Sequence, residues 1–109
     1  MTLEDLKNRC DAKHIPYAYG TFKEPTEPPH LVSISIGTNN FMADNKVYLK
    51  EIPIQMDYTY LDKDVDLEEI IENEILADVT WNKSDENYYS DEKYWQVSYY
   101  FSVMEVRNG

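Results

Sequence analysis

Cysteine occurs once in this sequence of 109 residues, at position 10, so no disulfide can form within the chain and a reducing compartment suits it. Glycine is almost as scarce, with three residues, too few for a phosphate-cradling Gly-rich loop. Basic residues are outnumbered by 21 acids to 10, which gives a formal charge of -11 and a sequence pI near 4.4. Affinity for a phosphate backbone comes mainly from Lys and Arg displacing counterions, so no direct affinity for nucleic acid is expected. No apolar run approaches the roughly 20 residues that span a bilayer, so no membrane association is expected. The first six residues carry Glu4 and Asp5 where an export signal would carry positive charge.

What is present reads as one globular domain over 1–109: 42% of residues are hydrophobic and 28% charged. Thr2 with Asp5 three residues on forms a helix start, with Leu3, Leu6 and Cys10 on one face, and Pro16 closes that helix near Lys13. Residues 21–30 hold three of the five prolines and predict a stiff, extended loop. From Leu31 the period becomes two, with Val32, Ile34 and Ile36 on the side a core would take and Ser33 and Ser35 opposite. A polar connection over 37–45 precedes two strands, 46–51 and 52–60, with Pro53 marking a bend or an edge. Asp66 and Glu69 predict the cap of a second helix over 67–77, whose Leu67, Ile70, Ile71 and Ile75 make an apolar stripe. A short strand at 79–81, a polar loop over 82–92 and a long final strand over 95–103 complete the chain. With no βαβ repetition, the predicted class is α+β, a mainly antiparallel sheet with two helices packed on it.

Chemistry is sparse. Cys10, His14 and His30 do not make the paired spacings of a zinc site, and a half-buried cysteine with two surface histidines explains them better. Asp62, Asp64 and Asp66 imitate the start of a calcium loop, but Leu67 stands where that loop needs Gly and Asn73 where it needs a bidentate Glu. No nucleophile motif is present. The expectation is therefore a protein that is not an enzyme, with no catalytic residues, no cofactor and no metal. The aromatic residues, ten Tyr and two Trp among them, are more informative. Most fall where strands would bury them, yet Tyr94, Tyr100 and Met104 lie on the face of the last strand opposite Trp95, Val97 and Phe101. Apolar surface on both sides of one strand suggests that a partner subunit covers one of them.

Three segments carry a resemblance: Ala18-Tyr19-Gly20-Thr21-Phe22-Lys23-Glu24-Pro25, then Pro28-Pro29 leading into a strand, then Asn40-Phe41-Met42-Ala43-Asp44-Asn45-Lys46-Val47-Tyr48. Together with the acidic second helix and the Tyr/Trp-rich last strand, the chain resembles, over nearly its whole length, the tail-terminator or tail-completion (head-tail joining) proteins of long-tailed phages, as found in prophages of Gram-positive bacteria. The resemblance implies a tail-terminator-like fold and a structural phage protein. Its subunits would form a homo-oligomeric ring, commonly of six, that caps the tail tube and meets the head connector proteins. It would reside in the host cytoplasm during virion assembly and in the virion afterwards. Under that reading Phe22, Pro25, Pro28, Pro29, Phe41, Met42 and Tyr48 are expected at subunit contacts, because they are apolar or stiff in polar loops, and stiff loops lose less entropy on docking. The alternative is that these loops fold back over their own core. Acids such as Asp62 and Asp64 are candidates to line a lumen through which DNA passes without adhering. A different reading of the charge is an acidic DNA mimic that inhibits a host nucleic-acid enzyme.

Overall fold

In the computed structural model the backbone is described for residues 1–37, 39–42 and 47–108, and side chains for 1–37 and 50–105. The interface candidates Phe41, Met42 and Tyr48 lie outside the described side chains. The order of elements is α1 (Leu3–Ala12), β1 (Tyr17–Tyr19), β2 (His30–Ser35), β3 (Asn39–Met42), β4 (Val47–Tyr60), α2 (Val65–Ile70) continued by a π-helical turn (Ile71–Ile75), β5 (Asn82–Lys83), β6 (Asn87–Tyr89) and β7 (Tyr94–Asn108). All strands join one sheet in the order β1-β2-β4-β7-β5, with β3 also on β4 and β6 also on β7. Every pairing is antiparallel except that of β1 with β2. The fold is α+β, as the sequence predicts.

Helix α1 starts as read. The Thr2 hydroxyl accepts from the Asp5 amide at 3.1 Å while the Asp5 carboxylate accepts from the Thr2 amide at 3.0 Å, so two otherwise unpaired amides are satisfied reciprocally. Its end is set by local geometry rather than by Pro16. The Ile15 amide returns to the Cys10 carbonyl and the His14 amide to the Asp11 carbonyl, with His14 left-handed at φ 57° between them. This is a Schellman stop that places a histidine where glycine is preferred. The second helix differs more from expectation. Asp64, not Asp66, is its cap, accepting from the Leu67 amide at 3.1 Å, and after one and a half turns the Leu76 amide reaches back five residues to the Ile71 carbonyl. The extra residue in that turn lets Ile71, Ile75 and Leu76 all reach the core.

Strand β4 is one strand of 14 residues, not two, and it pairs along its whole length with β7, from Val47 opposite Asn108 to Tyr60 opposite Trp95. Pro53 is neither an edge nor a bend. The Ile36 amide donates to the Pro53 carbonyl at 2.9 Å, so the side of Pro53 that lacks a donor faces β2 at the last rung of that ladder, where β2 gives way to β3. The predicted strand at 79–81 is not formed. The polar loop over 82–92 instead supplies β5 and β6, and the connection over 37–45 supplies β3.

Both helices lie on one face of the sheet. Leu6 and Cys10 of α1 and Ile71, Ile75 and Leu76 of the second helix share a single core with Leu31 of β2, Ile54, Met56, Tyr58 and Tyr60 of β4, and Val97, Tyr99, Phe101 and Val103 of β7. The facing of β2 is therefore the reverse of the sequence reading. Leu31 and Ser33 point into the core, whereas Val32 is half-buried and Ile34 and Ile36 are 39% and 50% exposed. The three apolar residues occupy the helix-free face because the register of β2 on β4, Leu31 opposite Tyr58 and Ser33 opposite Met56, is fixed by Leu31 joining the core. Two outcomes follow. Leu31→Ala costs about 2–5 kcal/mol in urea unfolding, while Ile36→Ala stays within about 0.5 kcal/mol of wild type. His14→Gly relieves the left-handed histidine and raises stability by about 1 kcal/mol in the same measurement.

Candidate functional site

The helix-free face is a ruled surface of cross-strand rows. Ile34, Gln55, Tyr100 and Asn82 lie side by side on four neighbouring strands, and Val32, Asp57 and Ser98 form the row beyond. Asp57 accepts from the Ser98 hydroxyl at 2.6 Å and from Gln55 Nε2 at 3.0 Å, which fixes the polar part of the face. The apolar part is Ile34, Ile36, Pro53 and Tyr100, with Tyr100 37% exposed. A groove of about 470 Å³ runs between Ile36, Pro53, Tyr100 and Ser102 and over the edge of β7 to Thr80 and Asn82. Tyr100 thus lies on exposed surface opposite the core-facing Val97, Tyr99 and Phe101, as the alternation of the last strand predicts. Tyr94 is on the same face, half-buried with its ring 5.4 Å from that of Tyr89.

A second apolar surface lies on the other face at the far end of the strands. Tyr60, Trp95 and Tyr88 stand abreast on β4, β7 and β6, with the Trp95 and Tyr88 rings 5.1 Å apart. Trp95 and Tyr88 are exposed there, and Leu61, which follows Tyr60 in the chain, is exposed as well. Pro53 and Tyr60 are seven residues apart on β4, about 23 Å at 3.3 Å per residue. The two surfaces are therefore separate.

The proline loop over 21–30 reaches the Tyr60 end of β4. Phe22 is half-buried with its ring edge-on to His30 at 5.1 Å, and Pro28 is half-buried, whereas Pro25 and Pro29 are exposed. Phe22 thus packs against its own chain. Pro28 and Pro29 border a cleft of about 320 Å³ with Tyr58, Tyr60 and Lys63. Asp62 is exposed on its rim, and Asp64, a lumen candidate, has its carboxylate committed to capping α2.

Beneath α2 the structure gathers an ionic cluster that sequence reasoning missed. Glu68 is 5% exposed, with Lys83 Nζ 2.8 Å from Oε1 and Lys63 Nζ 2.7 Å from Oε2, the latter off the line of a hydrogen bond. Lys83 also donates to Glu72 at 2.7 Å, which accepts from the Tyr99 hydroxyl at 2.7 Å, and Lys63 donates to Glu86 at 2.7 Å, which accepts from the Tyr60 hydroxyl. Burial alone would raise the Glu72 carboxyl, but the bonds from Lys83 and Tyr99 outweigh it and hold it below its ordinary value. Glu86 is lowered by its bonds from Lys63 and Tyr60. Burial, then the neighbouring carboxylates, push the Tyr60 and Tyr99 hydroxyls upward, so both stay protonated donors. The signal in the sequence was slight: Glu68 and Glu72 are four apart on a helix, beside the apolar stripe. The arrangement ties the β5–β6 segment to α2 and offers no unpaired nucleophile. On the other side of the helix pair, Arg9 grips Asp78 through two bonds of 2.7 and 3.0 Å and the Ile75 carbonyl at 2.9 Å, which holds the Asp78 carboxyl down to about 2.

Cys10 is buried in the core, and burial pushes its thiol up to about 12, so it is an inert packing group. His14 is exposed at the helix stop. Among the described residues no group of three or more His, Cys, Asp or Glu is placed to hold a metal ion, and no helix is long and apolar enough to cross a membrane. Among the described residues six acids, Asp11, Glu68, Glu72, Glu74, Asp78 and Glu86, are in ion pairs. The chain matches no protein-family model and no curated protein sequence.

Lys83→Met leaves Glu68 buried with one cation instead of two and costs about 2–4 kcal/mol of stability at neutral pH. Asp78, Glu72 and Glu86 bind protons less readily folded than unfolded. Their contribution is therefore present above the ordinary carboxyl values of 3.8 and 4.5 and is lost as pH falls through the lowered ones. The urea midpoint is expected to fall on acidification from about pH 5 to about pH 2, and Asp78→Asn flattens the lower part of that curve.

Proposed function

We propose that this protein is a non-enzymatic assembly subunit, a tail-terminator or tail-completion protein of a long-tailed phage. In this reading it forms a ring that caps the tail tube and joins it to the head connector. The observation that carries the reading is the pair of unlike apolar surfaces, one on the helix-free face around Ile34, Ile36 and Tyr100, the other on the opposite face around Tyr88 and Trp95. A single self-complementary patch closes a twofold dimer, whereas two different patches that engage each other propagate head to tail until rotation closes a ring.

Size supports the same reading. The part of the helix-free face spanned by the six residues of β2, four strands wide at about 4.8 Å spacing and about 3.3 Å per residue, covers roughly 400 Å². A stable interface takes about 800 Å² from each partner. That part supplies about half of one, so a subunit with a contact on each side gains from neighbours what this patch alone does not provide. The resemblance of the Ala18–Pro25 and Asn40–Tyr48 segments to tail-completion proteins names the assembly. The net charge of -11 suits a channel that DNA must pass without adhering.

Sedimentation of three forms tests the proposal. Wild type associates with rising concentration. Ile34→Asp with Ile36→Asp, and separately Tyr88→Glu with Trp95→Glu, each give folded monomers. Mixing the two variants restores a dimer and nothing larger, because each retains the patch the other has lost. A wild-type chain that stays monomeric at every concentration and ignores purified tail tubes would end the reading, and variants that do not complement would exclude head-to-tail contacts.

A further inference from the structure

Two features on opposite sides of the sheet are complementary in their chemistry. The first is the loop that leads into β2, Glu24-Pro25-Thr26-Glu27-Pro28-Pro29, in which Pro25, Glu27 and Pro29 are exposed. The Gly20 amide donates to the Ser33 carbonyl and the Leu31 amide to the Pro16 carbonyl, but between them residues 21–29 make no main-chain hydrogen bond among the described residues. Proline has no amide to donate, so this run presents carbonyl acceptors and pyrrolidine rings. It is also stiff, and a stiff run loses little freedom when it docks.

The second is the hairpin of β6 and β7. Tyr88 and Trp95 face each other across it, with their rings 5.1 Å apart and tilted by 50°, and they are 51% and 37% exposed. An open pair of large rings with an indole N–H and a phenol O–H supplies what an extended proline run needs, apolar faces for its rings and donors for its carbonyls. Register sets the two features at one height. His30, where the loop enters β2, lies opposite Thr59, Thr59 opposite Gln96, and Gln96 opposite Asn87, which precedes Tyr88. β1 joins β2 only from Leu31, so β2 and β6 are the outer strands of that row. Copies set side by side, related by rotation about an axis along the strands, bring the loop of one against the hairpin of the next.

We propose that the Tyr88–Trp95 pair is a docking site for an extended proline segment and that its occupant is the Pro25–Pro28 run of a second copy of this chain. The Pro25 ring lies against the aromatic pair, and the Trp95 Nε1–H donates to a carbonyl of the run. This rests on the head-to-tail reading and deepens it. The loop adjoins the helix-free patch, because His30 packs on Phe22 and shares its face of β2 with Val32 and Ile34. The contact on that side therefore extends from the roughly 400 Å² of sheet face toward the about 800 Å² that a stable interface takes.

Two experiments test it. In the first, a peptide of residues 21–31 is titrated by NMR into the full chain carrying Ile34→Asp and Ile36→Asp, which keeps the Tyr88–Trp95 pair and loses the other patch. The Trp95 indole and Tyr88 ring signals are expected to shift saturably in the millimolar range, and a peptide with Pro25→Ala and Pro28→Ala binds about tenfold more weakly. In the second, Glu24→Cys and Asn87→Cys, both at exposed positions, are combined in a chain whose own Cys10 is buried. Mild oxidation is expected to give a covalent ladder from the dimer upward, whereas a mixture of the two single variants gives dimers only. No Trp95 shift up to about 10 mM peptide overturns the proposal, and so does equal binding of the substituted peptide. A peptide that binds while associating chains give no ladder overturns the second copy as occupant and leaves the assembly reading standing. Wild type that stays monomeric at every concentration ends both.

Discussion

The pairing of β4 with β7 is the interaction on which the rest of the molecule depends. It joins fourteen consecutive residue pairs, and each rung sends one pair of side chains to the helices and the next to the opposite face. Once Ile54, Met56, Tyr58 and Tyr60 are committed to the core, their partners Phe101, Tyr99, Val97 and Trp95 must face the same way, and Tyr100 and Pro53 must face the other. The distribution of apolar surface between the inside and the outside of this protein is thus a property of one ladder. A shift of one residue would exchange the two sets.

The helices cover only one side of that ladder, and the ion pairs explain how they are held to it. Arg9 ties α1 to Asp78 and the last turn of the second helix, while Lys83 and Lys63 tie the start of that helix to the β5–β6 segment. Much of the acidity is therefore structural. Glu68 in particular is a buried charge that tolerates its position because the ammonium groups of Lys83 and Lys63 compensate it.

Much of the fold was legible where a local rule decides the outcome. The Thr2–Asp5 box, the alternation of β7 and the apolar stripe of the second helix follow from spacing alone. The errors arose where a tertiary contact overrides the local pattern. Val32, Ile34 and Ile36 look like a core face because they outnumber Leu31 and Ser33 in hydrophobicity, yet the pairing of β2 with β4 favours the single leucine. Pro53 reads as a break because periodicity does not reveal which of its two neighbours requires a donor. For the candidate site, the facing of Tyr100 follows from alternation, whereas Tyr88 and Trp95 stand out only once the end of the sheet is assembled.

Pro53 has an effect on fidelity as well as on shape. Alternating strands tolerate displacement by two residues, because every side chain keeps its face, and little in the periodicity of β2 forbids such a slip toward Val47. Any displacement in that direction would carry the proline from the final rung into the interior of the β2–β4 ladder, leaving a carbonyl there without its amide. A residue that looks like an interruption therefore acts as a stop, and it makes one alignment of the hairpin cheaper than its nearest competitor.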